Sequence, residues 1–135
     1  MGITIRSKRF KCNMGYFGFR GFRILVAERV NEEVGDHYRD LEDLLFSQNR
    51  DELIKKYDAK TEKLIEDGKL SKEVANFMYQ SDCDGGIDKI QAKIIYNLIK
   101  YECDSLRFGY LARADCATMK DLKDIFSDNT DIEWY

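Results

Sequence analysis

Gly15-Tyr16-Phe17-Gly18-Phe19-Arg20-Gly21-Phe22-Arg23 is the junction on which the fold of this chain turns. Before it, residues 3–10 alternate, with Ile3 and Ile5 set against Thr4, Arg6 and Lys8, and read as an exposed or edge strand. After it, apolar residues from Phe22 fall at Val26, Val30, Val34, Tyr38, Leu41 and Leu45, a stripe of 3.6-residue period that reads as helix. Gly35-Asp36 is read as a break that divides this stripe into two helices. Glycine suits the position after a helix, and aspartate the next cap.

Working outward, residues 50–66 carry Leu53, Ile54, Tyr57, Thr61, Leu64 and Ile65 on one helical face, and Gly68 ends that helix. Ser71 caps a short helix containing Val74, Phe77 and Met78. Beyond a break at residues 81–86, Ile87, Ile90, Ile94, Ile95, Leu98 and Ile99 define another amphipathic helix. Leu106, Phe108 and Tyr110 alternate as a short strand. Asp115 is placed to cap a last helix bearing Met119, Leu122, Ile125 and Phe126, and the closing Ile132-Glu133-Trp134-Tyr135 is extended. The expectation is one α+β domain over residues 1–135, mainly α. About five helices accompany a small antiparallel sheet formed near the chain ends.

Composition narrows the function classes. With 44% apolar and 35% charged residues, 135 residues make a globular chain with a sizeable core. No apolar run approaches the ~18 residues of a membrane span. The opening residues lack the order of a signal peptide, so a cytoplasmic location is expected. Cys12, Cys83, Cys103 and Cys116 form no Cys-x-x-Cys pair and a single histidine accompanies them, which disfavours structural zinc.

The net charge of −3 conceals an asymmetry. Residues 1–29 hold seven basic residues against the single acid Glu28, a local +6, while the remaining 15 basic and 24 acidic residues give −9. A duplex-binding protein is basic overall; a basic edge on an acidic body suits a focused anionic ligand or a protein partner. Packing of that edge against the acidic remainder, within one chain or in a homo-oligomer, is an equally open reading.

The 15–23 stretch itself combines glycines that permit close approach, aromatic faces that stack and guanidinium groups that grip phosphate. Its phenylalanines serve a core equally well. It is not an RNA-recognition signature, because Arg23 and Ile24 stand where a small residue and an aromatic belong. Nor do Gly15, Gly18 and Gly21, three apart throughout, form a dinucleotide fingerprint. Residues 107–116 repeat the same chemistry. Tyr16, Phe19, Arg20 and Arg23 with Arg107, Tyr110 and Arg113 are therefore the expected ligand-binding walls, aromatics stacking and arginines neutralising phosphate.

Residues 80–91 resemble an EF-hand loop in which Asp82 and Asp84 take ligand positions. Gln80 and Gln91 replace the two carboxylates that calcium affinity needs, and helix breaking with capping explains the same residues. No metal and no cofactor is expected. His37 lies in a helical pattern, and no catalytic constellation surrounds it; a pair with Cys12 or Cys116 has nothing to argue for it.

The opening Met1-Gly2-Ile3-Thr4-Ile5-Arg6-Ser7-Lys8, the Met14-Gly15-Tyr16 element, Ser81-Asp82-Cys83 and Trp134-Tyr135 are similar to small uncharacterised proteins carried by phages and mobile elements of Gram-positive bacteria. That resemblance carries no assigned chemistry and transfers no catalytic residue. It implies a setting: a counter-defence protein in the host cytoplasm. With no catalytic constellation visible among the residues, no enzyme is expected. Two modes follow. One is sequestration of a small anionic, nucleotide-like ligand; the other is inhibition of a host defence protein through the basic edge or the acidic face, as a nucleic-acid mimic.

Overall fold

The computed structural model describes residues 2–109 and 117–135. Strand β1 (Gly2–Arg6) turns Ile3 and Ile5 into the core and Thr4 and Arg6 away from it. It does not run on to residue 10. The chain turns at Ser7, whose N–H donates to the Phe10 carbonyl at 2.8 Å, and returns as β2 (Lys11–Gly15) in the register Ile3↔Met14 and Ile5↔Cys12. Asp128 fixes this turn. Its buried carboxylate accepts from the Ser7 hydroxyl (2.8 Å), from the Arg9 backbone N–H (2.9 Å) and from the Arg9 guanidinium. Burial alone would raise that carboxyl; the bonds from Arg9 and Ser7 bring it below the ordinary carboxylate value.

From Gly15 the strand passes directly into α1 (Tyr16–Val30). The break that follows is at Asn31, not at Gly35. Asn31 is extended, and its side chain accepts from the Val34 N–H at 2.9 Å, capping α2 (Glu32–Leu45). Gly35 lies inside α2 for a different reason. A Cβ there would stand 2.9 Å from Cγ and 3.0 Å from Cα of Glu28, so its absence lets α1 and α2 cross closely. Helices α3 (Arg50–Glu66) and α4 (Lys72–Tyr79) follow, the latter capped by Ser71.

Residues 85–87 form β3 (Gly85–Ile87), a strand absent from the sequence reading. Then come α5 (Lys89–Ile99), with an Asp88/Gln91 capping box, β4 (Arg107–Phe108), β5 (Ala117–Thr118), α6 (Met119–Phe126) and β6 (Ile132–Trp134). Thr118 and Asp121 make the capping box of α6, while Asp115 lies outside the described residues. The class is α+β, mainly α, with six helices among the described residues.

The sheet, in order β2-β1-β6-β3, is antiparallel throughout and joins the two chain ends, but its fourth strand comes from mid-chain. The described part of the strand expected around Leu106 and Phe108 does not join it, and Tyr110 lies outside the described residues. Instead β4 pairs with β5 as a separate two-stranded sheet. The inner face of the larger sheet meets α1, α4 and α6 around Trp134, Phe19, Phe22, Phe77 and Phe126, all at 0–1% exposure. Their rings meet edge-on or tilted, as in Phe19–Trp134 at 5.4 Å and Phe77–Trp134 at 5.6 Å.

Candidate functional site

Helix α1 divides the expected site between its two sides. Phe19 is fully buried against Phe77 and Trp134 and so presents no face to a ligand. Arg23 is also buried. Its Nη1 donates to the carbonyls of Met78 (3.0 Å), Gln80 (2.7 Å) and Phe77 (3.3 Å), and the guanidinium lies 4.5 Å over the Phe19 ring. Helix α4 ends with no basic residue of its own in the last turn. Arg23 therefore supplies from another helix the donors that its final carbonyls require. The Tyr38 hydroxyl donates to the same Met78 carbonyl at 3.0 Å. Burial lowers the Arg23 pKa from its ordinary value, while Tyr38 and Asp82 oppose the shift. Both residues expected to hold a ligand from this part of α1 are thus part of the interior.

Arg20, one turn earlier, reaches the surface and pairs with Glu42 of α2. Tyr16 is half-buried and Arg107 exposed. Residues 15–23 and 107–108 do meet, through the core. A Cβ on Gly18 would stand 2.7 Å from the Phe108 carbonyl oxygen, and the Phe22 and Phe108 rings are 5.5 Å apart. Tyr110 and Arg113 lie outside the described residues.

The EF-hand-like loop is spent on structure. The Gln80 side chain donates to the Gly86 carbonyl (2.7 Å) and accepts from the Gly86 N–H (2.9 Å), pairing with β3 as a neighbouring strand would. Gln91 is held in the α5 cap, and Trp134 Nε1 donates to the Ser81 carbonyl at 2.9 Å. Asp82 and Asp84 remain exposed, and among the described residues no group of three or more His, Cys, Asp or Glu is placed to hold a metal ion.

Beside β3 an open groove of about 650 Å³ runs between the outer sheet face and the start of α5. It touches the basic edge at Arg6 and Lys8, yet acids answer them. Arg6 pairs with Glu133 at 2.9 Å. At the positive end of α5, Asp88 accepts from the Gln91 N–H (2.8 Å) and Asp131 from the Lys89 N–H (3.1 Å). An anion entering the groove meets a helix N-terminus already served by carboxylates.

Comparison with family models, with curated proteins and with solved structures finds no match. His37 is 2% exposed, stacked on Tyr57 at 3.8 Å, with Nε2 2.7 Å from the Thr61 hydroxyl. Because Thr61 donates to the Tyr57 carbonyl (3.0 Å), it accepts from His37. Burial, then Lys60, lowers the histidine below its ordinary pKa. Tyr57 and Tyr79 share a 2.7 Å hydroxyl contact beside it. The Cys12 thiol is pushed up to about 12, first by burial and then by Asp121, which leaves it a poor nucleophile. Among the described residues no helix is long and apolar enough to cross a membrane.

What the sequence reading missed is at the other side of α1. Phe17 is 72% exposed and Phe46 85%, with Leu45 also in solvent rather than on the inward stripe where periodicity put it. The contacts Glu28–Gly35, Glu28–Arg39 and Arg20–Glu42 show that α1 and α2 run antiparallel. The start of α1 therefore lies beside the end of α2, which sets Phe17, Leu45 and Phe46 at one tip. A phenylalanine two residues from a core phenylalanine, and a Leu-Leu-Phe helix end, were the available signals.

Proposed function

We propose that this chain is a non-enzymatic binding protein that docks onto a protein partner through the tip of the α1–α2 hairpin. The carrying observation is the shared exposure of Phe17, Leu45 and Phe46 at one end of a hairpin whose Phe19, Phe22 and Tyr38 are enclosed. Exposed large apolar residues gathered at one place mark interaction surfaces, whereas scattered ones do not. The resemblance to small phage and mobile-element proteins supplies the setting, inhibition of a host defence protein. The test is capture from an extract of Gram-positive cells by wild-type protein and by a Phe17→Ser/Phe46→Ser variant. A host protein held by the wild type is released by the variant at unchanged melting temperature. Equal capture by both contradicts the reading.

A second reading, capture of a small anionic, nucleotide-like ligand, has one observation in its favour. The close Gly18–Phe108 approach brings the strand bearing exposed Arg107 against the part of α1 that carries Tyr16 and Arg20. A nucleotide that raises the melting temperature of wild type, and fails to do so with Arg20→Ala or Arg107→Ala, supports it. No shift across a nucleotide panel removes it.

A further inference from the structure

We infer that the partner surface received by the α1–α2 tip is cationic: an apolar anchor ringed by lysine or arginine, as on a basic amphipathic helix. The inference rests on the docking role of the tip and adds the chemistry of what docks. Three apolar side chains, Phe17, Leu45 and Phe46, stand in solvent at the tip. Around them acids outnumber bases. Helix α2 carries six acidic residues against Arg39 alone, and across the connecting turn α3 opens with Arg50 followed by Asp51 and Glu52, with Lys55 and Lys56 in its next turn. Glu42 is answered by Arg20 and Asp36 by Arg39. Among the described residues, Asp40, Asp43, Asp51 and Glu52 have no basic side chain within 4 Å. All four are exposed.

Charge complementarity then selects the occupant. A nucleic-acid backbone or an anionic lipid surface is repelled by this rim, and an acidic protein likewise. A neutral apolar surface gains from the phenylalanines and nothing from the four carboxylates. A basic surface gains from both, and the rim steers its approach while the aromatics hold it. Helix-in-groove and helix-on-helix recognition present such apolar anchors at i, i+3 and i+4 with basic residues between them.

The test uses the full chain and a synthetic 14-residue amphipathic helix of leucine and lysine, with a second peptide in which glutamine replaces every lysine. Binding is followed by amide NMR shifts and by titration calorimetry. The lysine peptide is expected to shift Phe17, Leu45, Phe46, Asp40 and Asp43. It is expected to bind about tenfold more weakly to an Asp40→Asn/Asp43→Asn/Asp51→Asn/Glu52→Gln variant. No binding by the lysine peptide, equal binding by the glutamine peptide, or an unchanged affinity in the four-site variant overturns the cationic partner and leaves the tip itself standing. Unchanged lysine-peptide binding by Phe17→Ser/Phe46→Ser, or shifts that map elsewhere, overturns the docking tip together with the inference built on it.

Discussion

Two arginines one helical turn apart show how differently this chain uses one kind of residue. Arg23 faces inward, gives one nitrogen to three carbonyls at the end of α4 and rests on the Phe19 ring. Arg20 faces outward and pairs with Glu42 near the exposed Phe17. The same contrast separates Phe19 from Phe17 and Gly18 from Gly21. One side of α1 is the centre of the core and a cap for another helix; the other borders the exposed apolar tip. A stretch rich in glycine, aromatics and arginine is thus two surfaces interleaved at helical spacing.

The phenylalanines offer the largest contrast. Phe19→Ala is expected to cost about 3–5 kcal/mol in urea unfolding, whereas Phe17→Ala stays within about 0.5 kcal/mol. Comparable losses at the two positions break the division of α1. For the arginines, Arg23→Ala strips donors from the buried carbonyls of α4 and is expected to cost about 2–3 kcal/mol; Arg20→Ala loses a surface pair worth no more than about 1 kcal/mol. The glycines give opposite signs. Gly18→Ala drives a methyl to 2.7 Å from the Phe108 carbonyl and destabilises by about 1–3 kcal/mol. Gly21→Ala meets nothing within 4 Å in mid-helix and stabilises by about 0.5–1 kcal/mol.

A smaller effect comes from His37, which packs α2 against α3. Its folded pKa lies below the ordinary 6.5, so the unfolded chain takes up the proton first. Stability is complete above about pH 6.5 and is lost as pH falls from there through the lowered folded value, at no more than about 1.4 kcal/mol per pH unit. His37→Gln is expected to flatten the stability profile in that window. A profile as steep in the variant as in the wild type assigns the slope to other groups. Asp128 acts in a separate, more acidic window. Its lowered carboxyl supports the fold above about pH 4, and that support is lost as the pH drops further.

The helices and most of the core were legible because 3.6-residue periodicity reports burial directly. Phe22, Val26, Val34, Ile95, Ile99, Leu122 and Ile125 were all readable as inward. Strands β2 and β3 were not: Lys-Cys-Asn-Met-Gly alternates only through Cys12 and Met14, too short a pattern to stand out from the segment before it, and Gly-Gly-Ile has a single apolar residue and is a strand only through its neighbours. Asp128 read as one more acid of a solvated tail, although a turn 119 residues away in sequence buries it. The site was least legible of all. An arginine that caps a distant helix looks in sequence like one that grips a phosphate. Leu45, in phase with the inward stripe, is left in solvent because the helix ends before another element covers it.

Hydroxyl-radical footprinting, with and without the leucine–lysine peptide, tests the division of α1 and the docking tip together. In the free chain Phe17, Phe46 and Tyr101, the last 91% exposed and remote in sequence from the hairpin, are expected to oxidise readily, while Phe19 and Phe22 do not react. On binding, Phe17 and Phe46 become protected and Tyr101 stays as reactive as before. Oxidation of Phe19 at the rate of Phe17, or protection that falls on Tyr101 and spares the tip, contradicts the account.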